Sequence, residues 1–470
     1  MLGTTTPLFT LLLALAAALL GSEAIPAVAD ALAIFFGQAA GLSTYALLRR
    51  VGLPGPASAL GAAWLLFQPS MAAAAIGGME TTLVLALMAG SLLALCAGRG
   101  ALASAACALL VLTRVDGLLW AMLVMGVLGL RRPGAMPRYA ALFLALVAPW
   151  ALFAQVYFGS PIPHSIPAKM SVGAETRPLT DPELLLAHLR WFLGATGIRL
   201  ARGAGGLDPR LLGPPLAIWI GAGVFDVATA RRSLLALAWL PPLLCAAYYV
   251  GGAPRIHPWY LLPPLWCIGV LLAIGVAELP RQLPFPDLRS RRWRGVLYAA
   301  LAVALLAVHL VEAGRRELTY RTWEQNYEDG LRRRLGEWLR ANTPGDAIVA
   351  MEAIGYQGYY SQRRIVDLGG LVSPEVVSIA RQSGSSAATF HAVLKRMRPD
   401  FLVLRSMEVD RNLSFHGGPL FETLAQRDYF SSHYREVARF SAPDPRLLGP
   451  LSHLTVYARR SHRASIPAGG

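Results

Sequence analysis

Residues 101–130 read ALASAACALLVLTRVDGLLWAMLVMGVLGL and decide how the chain is organised. The segment is apolar except at its centre, where Arg114 and Asp116 interrupt it. It is therefore either one long helix or two short helices that meet at Thr113–Gly117. Because a charge at membrane depth is costly, this centre is also a place where a functional group is expected.

The apolar stretches around this segment have the length of membrane-spanning helices, which need about 20 residues. They are 28–48, 56–75, 80–97, 139–158, 212–229, 233–250, 259–277 and 295–313. Arginine clusters separate them, namely Arg49–Arg50, Arg99, Arg131–Arg132–Arg138, Arg231–Arg232 and Arg281–Arg294. If 101–130 crosses twice, all these clusters fall on one side, as the positive-inside rule requires. We therefore predict two short helices in 101–130 and about ten spans in a polytopic α-helical membrane domain, residues 1–314.

The polar turns then collect on the opposite, non-cytoplasmic face. These are Gly77–Thr82, Arg114–Asp116, the loop 159–211, the turn 251–258 and everything after Gly314. The run Pro7–Leu20 does not fit this alternation and is interpreted as a helix that either lies in the outer interface or re-enters the membrane. The pattern predicts a multi-pass protein of the bacterial inner (plasma) membrane whose C-terminal domain is extracytoplasmic.

Composition argues against a nucleic-acid-binding protein despite a formal net charge of +15 over 470 residues. Only 15% of the residues are charged, against about 25% in soluble domains, and the mean hydropathy is +0.46. The arginines stand between apolar runs, where they orient a membrane protein, so membrane lipids are the expected partner and nucleic acid is not. The four cysteines lie inside apolar runs and show neither metal-ligand spacing nor a disulfide framework.

Residues 315–470 are ordinary in charge and predict a soluble α/β domain. Helices are predicted at 322–342, 374–383 and 387–397, and strands at Ala347–Met351, Arg364–Leu368, Phe401–Leu404, Tyr434–Phe440 and Leu454–Ala458. The alternation of strands and helices favours a small, partly parallel sheet.

Two groups of charges in the apolar part are candidates for chemistry. Glu80 begins a helix on the outer side, where its charge also simply suits a helix N-terminus. Arg114 could bind a lipid phosphate with Asp116 positioning it, or the two could merely neutralise each other.

Further candidates lie in polar segments. His164 and Lys169 belong to a proline-stiffened loop that is either a site element or a rigid connector. Arg255, His257 and Tyr260 begin a span on the same outer face and suit an anionic headgroup. In the soluble domain, the residues that could line an acceptor cleft, or could be ordinary rim residues, are Glu352, Tyr356, Tyr359, Tyr360 and Asp367.

Four motifs in order resemble the membrane-embedded GT-C glycosyltransferases that use polyprenyl-phosphate sugars, including mycobacterial terminal arabinofuranosyltransferases and mannosyltransferase-like relatives. They are Gly78-Met79-Glu80-Thr81-Thr82-Leu83, Thr113-Arg114-Val115-Asp116-Gly117, Phe158-Gly159-Ser160 through Lys169, and Trp338-Leu339-Arg340 through Asp367. Two positions depart from the family pattern: Val115 replaces a proline, and His164 stands where asparagine is expected.

The resemblance implies transfer of a sugar from a polyprenyl-phosphate donor to a hydroxyl of an envelope glycan or glycolipid. The base that the resemblance implies is the upstream aspartate of the family, and Glu80 and Asp116 are the catalytic carboxylates of the present chain that could assist it. The candidate cations for the donor phosphate are Arg114, Lys169, Arg255 and His257. Substrate contacts would come from His164, Tyr260, Glu352, Tyr356 and Asp367. No cofactor is certain, and a divalent cation is the one candidate.

The start of the chain differs most from the family. Thr5-Thr6-Pro7-Leu8-Phe9 resembles a stretch that in the family follows a further helix and an acidic loop with the catalytic aspartate. We expect that these parts precede the present start, because the odd position of Pro7–Leu20 also calls for an upstream span. The alternatives to an enzyme are a transporter or flippase for a lipid-linked glycan and a non-catalytic envelope assembly protein.

Overall fold

The computed structural model describes residues 6–164, 168, 262–282, 291–414 and 418–460. Contacts divide these residues into two units. The helical unit contains 6–154, 262–282 and 291–316, and the C-terminal unit contains 317–460 together with 155–164.

Apolar helices make up the helical unit. In chain order they are α1 (Pro7–Leu20), α2 (Ile25–Arg50), α3 (Gly55–Leu66), α4 (Pro69–Ile76), α5 (Thr81–Cys96), α6 (Gly100–Thr113), α7 (Gly117–Arg131), α8 (Met136–Phe158), α9 (Leu262–Gln282) and α10 (Arg291–Trp323). A proline in the first turn begins each of α1 to α4, since its missing N–H costs nothing there. Gly52 and Gly98 follow the ends of α2 and α5 with positive φ.

The segment 101–130 folds as two helices, so this prediction is confirmed. Helix α6 ends at Thr113 and α7 begins at Gly117. Gly117 packs so closely on α6 that an added Cβ would lie 2.7 Å from Leu110 Cγ and 3.1 Å from the Leu110 carbonyl oxygen. A side chain there would push the two helices apart.

The prediction of about ten spans is wrong. Within the described residues, two helical segments are long and apolar enough to cross a membrane, Ser22–Arg50 with 29 residues and Pro133–Phe158 with 26. A third is reached only if α3 and α4, which meet at an angle of 56°, count as one bent span. The predicted spans 212–229 and 233–250 lie outside the described residues.

Turns account for part of the difference between the predicted and the observed number of spans. They divide apolar stretches into helices that are too short to cross a membrane. Helices α5, α6 and α7 have 16, 14 and 15 residues. At about 1.5 Å per residue, each is shorter than the roughly 30 Å hydrocarbon core. Between α3 and α4, Gln68 is held extended by the proline that follows it, and the predicted helix 56–75 breaks there.

The core of the helical unit is apolar, and its buried indoles satisfy their polar atoms. Trp120 Nε1 donates to Ser91 Oγ at 2.9 Å, and Trp266 Nε1 donates to Thr44 Oγ1 at 3.0 Å. The two indole rings meet edge to face at 5.9 Å. These contacts join α2, α5, α7 and α9 without leaving either donor unpaired.

Arg50 and Arg131 lie near one end of this unit, and the turns that contain Glu80 and Asp116 lie at the other end. At the start of α5, Thr82 approaches Gly37 of α2, and at its end Cys96 is within electrostatic range of Arg50 and Arg131. Helices α2 and α5 therefore run in the same direction. Helix α2 ends with Arg49 and Arg50, the end of α5 lies near Arg50 and Arg131, and the beginning of α5 lies at the turn that contains Glu80.

A five-stranded sheet organises the C-terminal unit, as predicted. Its elements are a π-helical segment (Glu324–Arg333), α11 (Arg334–Asn342), β1 (Ile348–Met351), α12 (Ile354–Ser361), β2 (Arg364–Asp367), α13 (Pro374–Ser383), α14 (Ser386–Met397), β3 (Phe401–Arg405), α15 (Ser406–Asp410), α16 (Leu424–His433), β4 (Tyr434–Ser441), α17 (Pro445–Leu448) and β5 (His453–Arg459). The strand order is β2-β1-β3-β5-β4. Strands β2, β1 and β3 are parallel, and β5 runs antiparallel to both of its neighbours, β3 and β4.

Alternating side chains of the strands fill a core on each face of the sheet. Val349, Phe401 and Val403 pack on the same side as the π-helical segment and α11. Leu402 and Leu404 pack on the other side with α13 and α14. The predicted helix 322–342 is thus real but is interrupted by the π-helical segment, a type of distortion that often accompanies a functional site.

The close contact between α3 and α9 yields a stability test. An added Cβ on Gly61 would lie 2.7 Å from Leu48 Cδ1, 2.8 Å from Ala273 Cβ and 3.2 Å from the Gly269 carbonyl oxygen. We expect Gly61→Val to cost about 1–3 kcal/mol, because it overpacks this contact. The apparent melting temperature of the detergent-solubilised protein, followed by tryptophan fluorescence, measures the loss.

Gly90→Val is the matched control, since Gly90 is also helical and an added Cβ there meets no heavy atom within 4 Å. Equal melting temperatures for the two variants would contradict the packing described here.

Candidate functional site

Two turns at the acidic end of the helical unit bring Glu80, Arg114 and Asp116 together. Arg114 Nε lies 3.0 Å from Asp116 Oδ1 and Nη2 lies 2.8 Å from Oδ2, which makes a bidentate pair. Arg114 Nη1 lies 3.9 Å from Glu80 Oε1. Arg114 is 8% exposed, so a buried guanidinium is balanced by two carboxylates.

The local sequence explains how the three side chains meet. Arg114 is extended after the last turn of α6, and Asp116 precedes the first turn of α7. A two-residue offset across this break lets both carboxylate oxygens bind one edge of the guanidinium, the edge formed by Nε and Nη2. Glu80 precedes α5, where a negative charge suits the unpaired amides of the helix start.

Unpaired hydroxyls lie beside this cluster. Thr81 and Thr82 are fully buried, and within the described part of the chain neither hydroxyl has a hydrogen-bond partner. Leaving a buried hydroxyl unsatisfied costs roughly 1–3 kcal/mol. Sequence reasoning missed this pair, although both threonines belong to the motif that contains Glu80.

The sequence-predicted cations around this cluster are not all described. Lys169, Arg255, His257 and Tyr260 lie outside the described residues. His164 is described, in the segment that groups with the C-terminal unit, and its Nε2 is buried without a hydrogen bond to any described residue.

In the C-terminal unit, a second charged cluster lies at the carboxyl ends of the parallel strands. Glu352 follows β1, Asp367 ends β2 and Arg405 ends β3. Arg405 Nη2 lies 3.1 Å from Glu352 Oε2, and Nη1 lies 3.7 Å from Glu408 Oε1. Burial lowers the pKa of Arg405, but Glu408, Glu352 and Tyr327 together raise it, so the net shift of the pKa is upward.

This cluster occupies the edge where α/β sheets bind ligands. The chain leaves β1 for β2 on one side and returns to β3 on the other, so β1 and β3 form the topological switch point. The residue after Glu352, Ala353, has φ of 58°, a rare conformation for a residue with a side chain, and its carbonyl accepts a hydrogen bond from Arg332.

The other predicted residues of this unit have mixed surroundings. The carboxylate of Asp367 accepts from the Gly369 amide at 2.9 Å and the Val372 amide at 3.1 Å, which gives it a structural role in the turn after β2. Burial, followed by the nearby charges of Asp329 and Glu324, raises the pKa of Tyr356 to about 12. Tyr356 therefore stays protonated at neutral pH.

Sequence reasoning missed Arg405 and Glu408. The available signal was the position of Arg405 directly after the apolar run FLVL, because a charge that ends a buried parallel strand lies at the ligand-binding edge. No group of three or more His, Cys, Asp or Glu side chains is arranged to hold a metal ion in the ranges that the structure describes.

Comparison with known proteins adds one finding. Residues 317–461 match a family described as a domain of unknown function (DUF8728). No curated protein matches the chain. The match begins near the end of α10 and includes the sheet and the Arg405 cluster, and it carries no activity with it.

The Arg405 cluster makes a direct prediction about stability. Arg405→Met leaves Glu352 and Glu408 near each other without a cation in a buried setting. We expect a loss of about 3–5 kcal/mol in the free energy of unfolding of the C-terminal unit. Hydrogen–deuterium exchange of the amides of β3 and β5 in the full-length protein, followed by peptide mass spectrometry at increasing urea concentration, measures it.

Arg439→Met is the control, because Arg439 pairs with Glu436 at the same three-residue spacing but on the surface. Its expected cost is about 0–1 kcal/mol. A loss at Arg405 no larger than that at Arg439 would show that the buried cluster contributes no more than a surface pair.

Proposed function

We propose that this protein is a membrane glycosyltransferase that moves a sugar from a polyprenyl-phosphate donor to a hydroxyl of a cell-envelope glycan or glycolipid. The observation that carries the proposal is the convergence of Glu80, Arg114 and Asp116 at one end of an apolar helical unit. A lipid-linked donor needs such a place, where its chain stays among apolar groups and its phosphate meets a cation.

Membrane association has direct structural support. Two helical segments are long and apolar enough to span a bilayer, and only 6% of the apolar window of Pro133–Phe158 is buried. Arg50 and Arg131 lie together at the end opposite the acidic turns. By the positive-inside rule this end faces the cytoplasm, so the acidic turns would face outward. In this proposal the protein is multi-pass in a bacterial plasma membrane, with the C-terminal unit extracytoplasmic.

The chemistry assigns a role to each charge of the cluster. In the transfer, the bond between the anomeric carbon and the phosphate oxygen breaks, and the leaving polyprenyl phosphate gains negative charge. Arg114 stabilises that charge, and the buried hydroxyls of Thr81 and Thr82 offer donors to the polar part of the donor. Asp116 holds the guanidinium in place through its bidentate pair.

Turnover of a labelled polyprenyl-phosphate sugar by the purified, reconstituted protein tests the proposal. We expect transfer to an envelope glycan by the wild-type protein. Arg114→Ala should lower kcat by about 10²–10³-fold, since it removes the cation for the leaving phosphate. Arg114→Lys should keep part of the activity, because the charge remains while the bidentate pair is lost.

Arg99→Ala is the control variant, because Arg99 is exposed and lies at the other end of the unit, between α5 and α6. If the wild-type protein transfers no sugar but moves a lipid-linked glycan across vesicle membranes, it is a flippase. If it does neither and only binds the glycan, it is a non-catalytic assembly protein.

A further inference from the structure

Three tyrosines form a half-exposed stripe on α12 of the C-terminal unit. Tyr356, Tyr359 and Tyr360 are spaced as i, i+3 and i+4, so they share one face of the helix. The Tyr356 and Tyr360 rings are 5.8 Å apart, and the Tyr359 and Tyr360 rings meet edge to face at 5.1 Å. Tyr359 is 48% exposed, and none of the three belongs to either core of the unit. The tyrosine stripe therefore offers ring faces to a ligand from solution.

One ring of the tyrosine stripe already holds a cation. An added Cβ on Gly336 would lie 2.8 Å from Tyr360 Cβ, so α11 packs directly against α12. Arg333, one turn before Gly336, places its guanidinium over the Tyr360 ring, 4.9 Å from the ring centroid. The negative face of an aromatic ring attracts a cation in this position. The contact shows which kind of group the stripe accepts.

The other end of the tyrosine stripe is surrounded by negative charge. Burial, followed by the nearby charges of Asp329 and Glu324, raises the pKa of Tyr356 to about 12, and Glu328 also raises it. Among the described residues, no arginine or lysine lies over the ring of Tyr356 or Tyr359. Because negative groups repel anions, this end of the stripe suits a cationic ligand and opposes a phosphate or an acidic sugar.

The carboxylates near Tyr356 all lie on the π-helical segment, and they differ in their partners. Both oxygens of Glu328 accept from Arg332 Nη1, at 2.9 and 2.7 Å. Asp329 Oδ1 lies 3.9 Å from Arg333 Nη1, too far for a hydrogen bond. The carboxylate of Glu324 is half-buried and has no ion pair or hydrogen bond to any described residue. A partly desolvated carboxylate without a partner is costly, and a cation would offset that cost.

We propose that the tyrosine stripe and the adjacent carboxylates form a binding site for an organic ammonium group. The ammonium lies against the rings of Tyr356 and Tyr359, and the carboxylates of Glu324 and Asp329 balance its charge. Ligands with this chemistry are the amino sugars of envelope glycans and the ethanolamine headgroups of lipids. The site lies within the C-terminal unit and shares no residue with the Glu80, Arg114 and Asp116 cluster, so it goes beyond the transfer reaction proposed above.

An organic ammonium fits this site better than a metal ion. Ca²⁺ requires about six to eight oxygen ligands, and aromatic ring faces supply none. In the ranges that the structure describes, no three His, Cys, Asp or Glu side chains are arranged to hold a metal ion. An alkylammonium needs fewer carboxylates, and its apolar substituents gain from contact with the rings.

Pairs of probes that differ by one amino group test the proposal. Methyl glucosaminide is compared with methyl glucoside, and glycerophosphoethanolamine with glycerophosphoglycerol, by saturation-transfer NMR titration of the detergent-solubilised full-length protein. We expect the amine of at least one pair to bind with a Kd about 10-fold or more below that of its neutral or hydroxyl twin, since a charge-assisted contact is gained. The pair with the larger difference identifies the source as a sugar or a lipid headgroup.

Variants locate the binding at the tyrosine stripe. Glu324→Gln should remove most of the difference between the amine and its twin, and Tyr359→Leu should raise the Kd of the amine about 2–5-fold. Tyr429→Leu is the matched control, because Tyr429 is a surface tyrosine of the same unit with Lys395 Nζ 5.1 Å from its ring centroid. It should leave every Kd unchanged. If Glu324→Gln does not fold, Asp329→Asn takes its place.

Several outcomes would overturn the site. Equal Kd values for the amine and its twin in both pairs would show that no ammonium is recognised. A difference that persists in Glu324→Gln and Tyr359→Leu, or that disappears in Tyr429→Leu, would place the binding elsewhere. The titrations involve no sugar transfer, so a protein that transfers no sugar would refute the glycosyltransferase without affecting this result.

Discussion

The neutralisation of Arg114 is the constraint on which the acidic end of the helical unit depends. A guanidinium removed from water is costly unless carboxylates compensate it, and Arg114 is compensated by Asp116 from its own turn and by Glu80 from another. The pairing with Glu80 ties the start of α5 to the break between α6 and α7. At this break, Gly117 lets α7 pack directly on Leu110 of α6.

The C-terminal unit also contains a buried arginine that is balanced by two carboxylates, although its architecture is different. Arg405 ends a strand whose residues are all buried, and its charge is balanced by Glu352 and Glu408. In both units a buried arginine joins segments that are distant in sequence. Parallel strands make this possible in the sheet, since their carboxyl ends meet at one edge, and helix breaks make it possible in the helical unit.

Much of the secondary structure followed from local patterns. The two helices of 101–130 could be predicted, because the positive-inside rule decides between one helix and two. The strands of the C-terminal unit could be predicted from short apolar runs bounded by turn residues, as at Phe401–Arg405. The number of spans could not be predicted in this way. Hydropathy shows only that a stretch is apolar. Where a helix ends depends on backbone conformation, as at Gln68 between α3 and α4 and at Gly52 and Gly98 after α2 and α5.

The candidate site was likewise predictable in part. The sequence by itself determined which residues are candidates, since Glu80, Arg114 and Asp116 are charged residues within apolar segments. It also determined that the arginine clusters separate from the acidic turns, because charge placement relative to a membrane is a one-dimensional pattern. Only the tertiary structure decided that Glu80 pairs with Arg114, that Arg333 lies over Tyr360 and that Arg405 faces Glu352. The physical reason is that pairing depends on the distance between side chains from different helices or strands, and packing alone sets that distance.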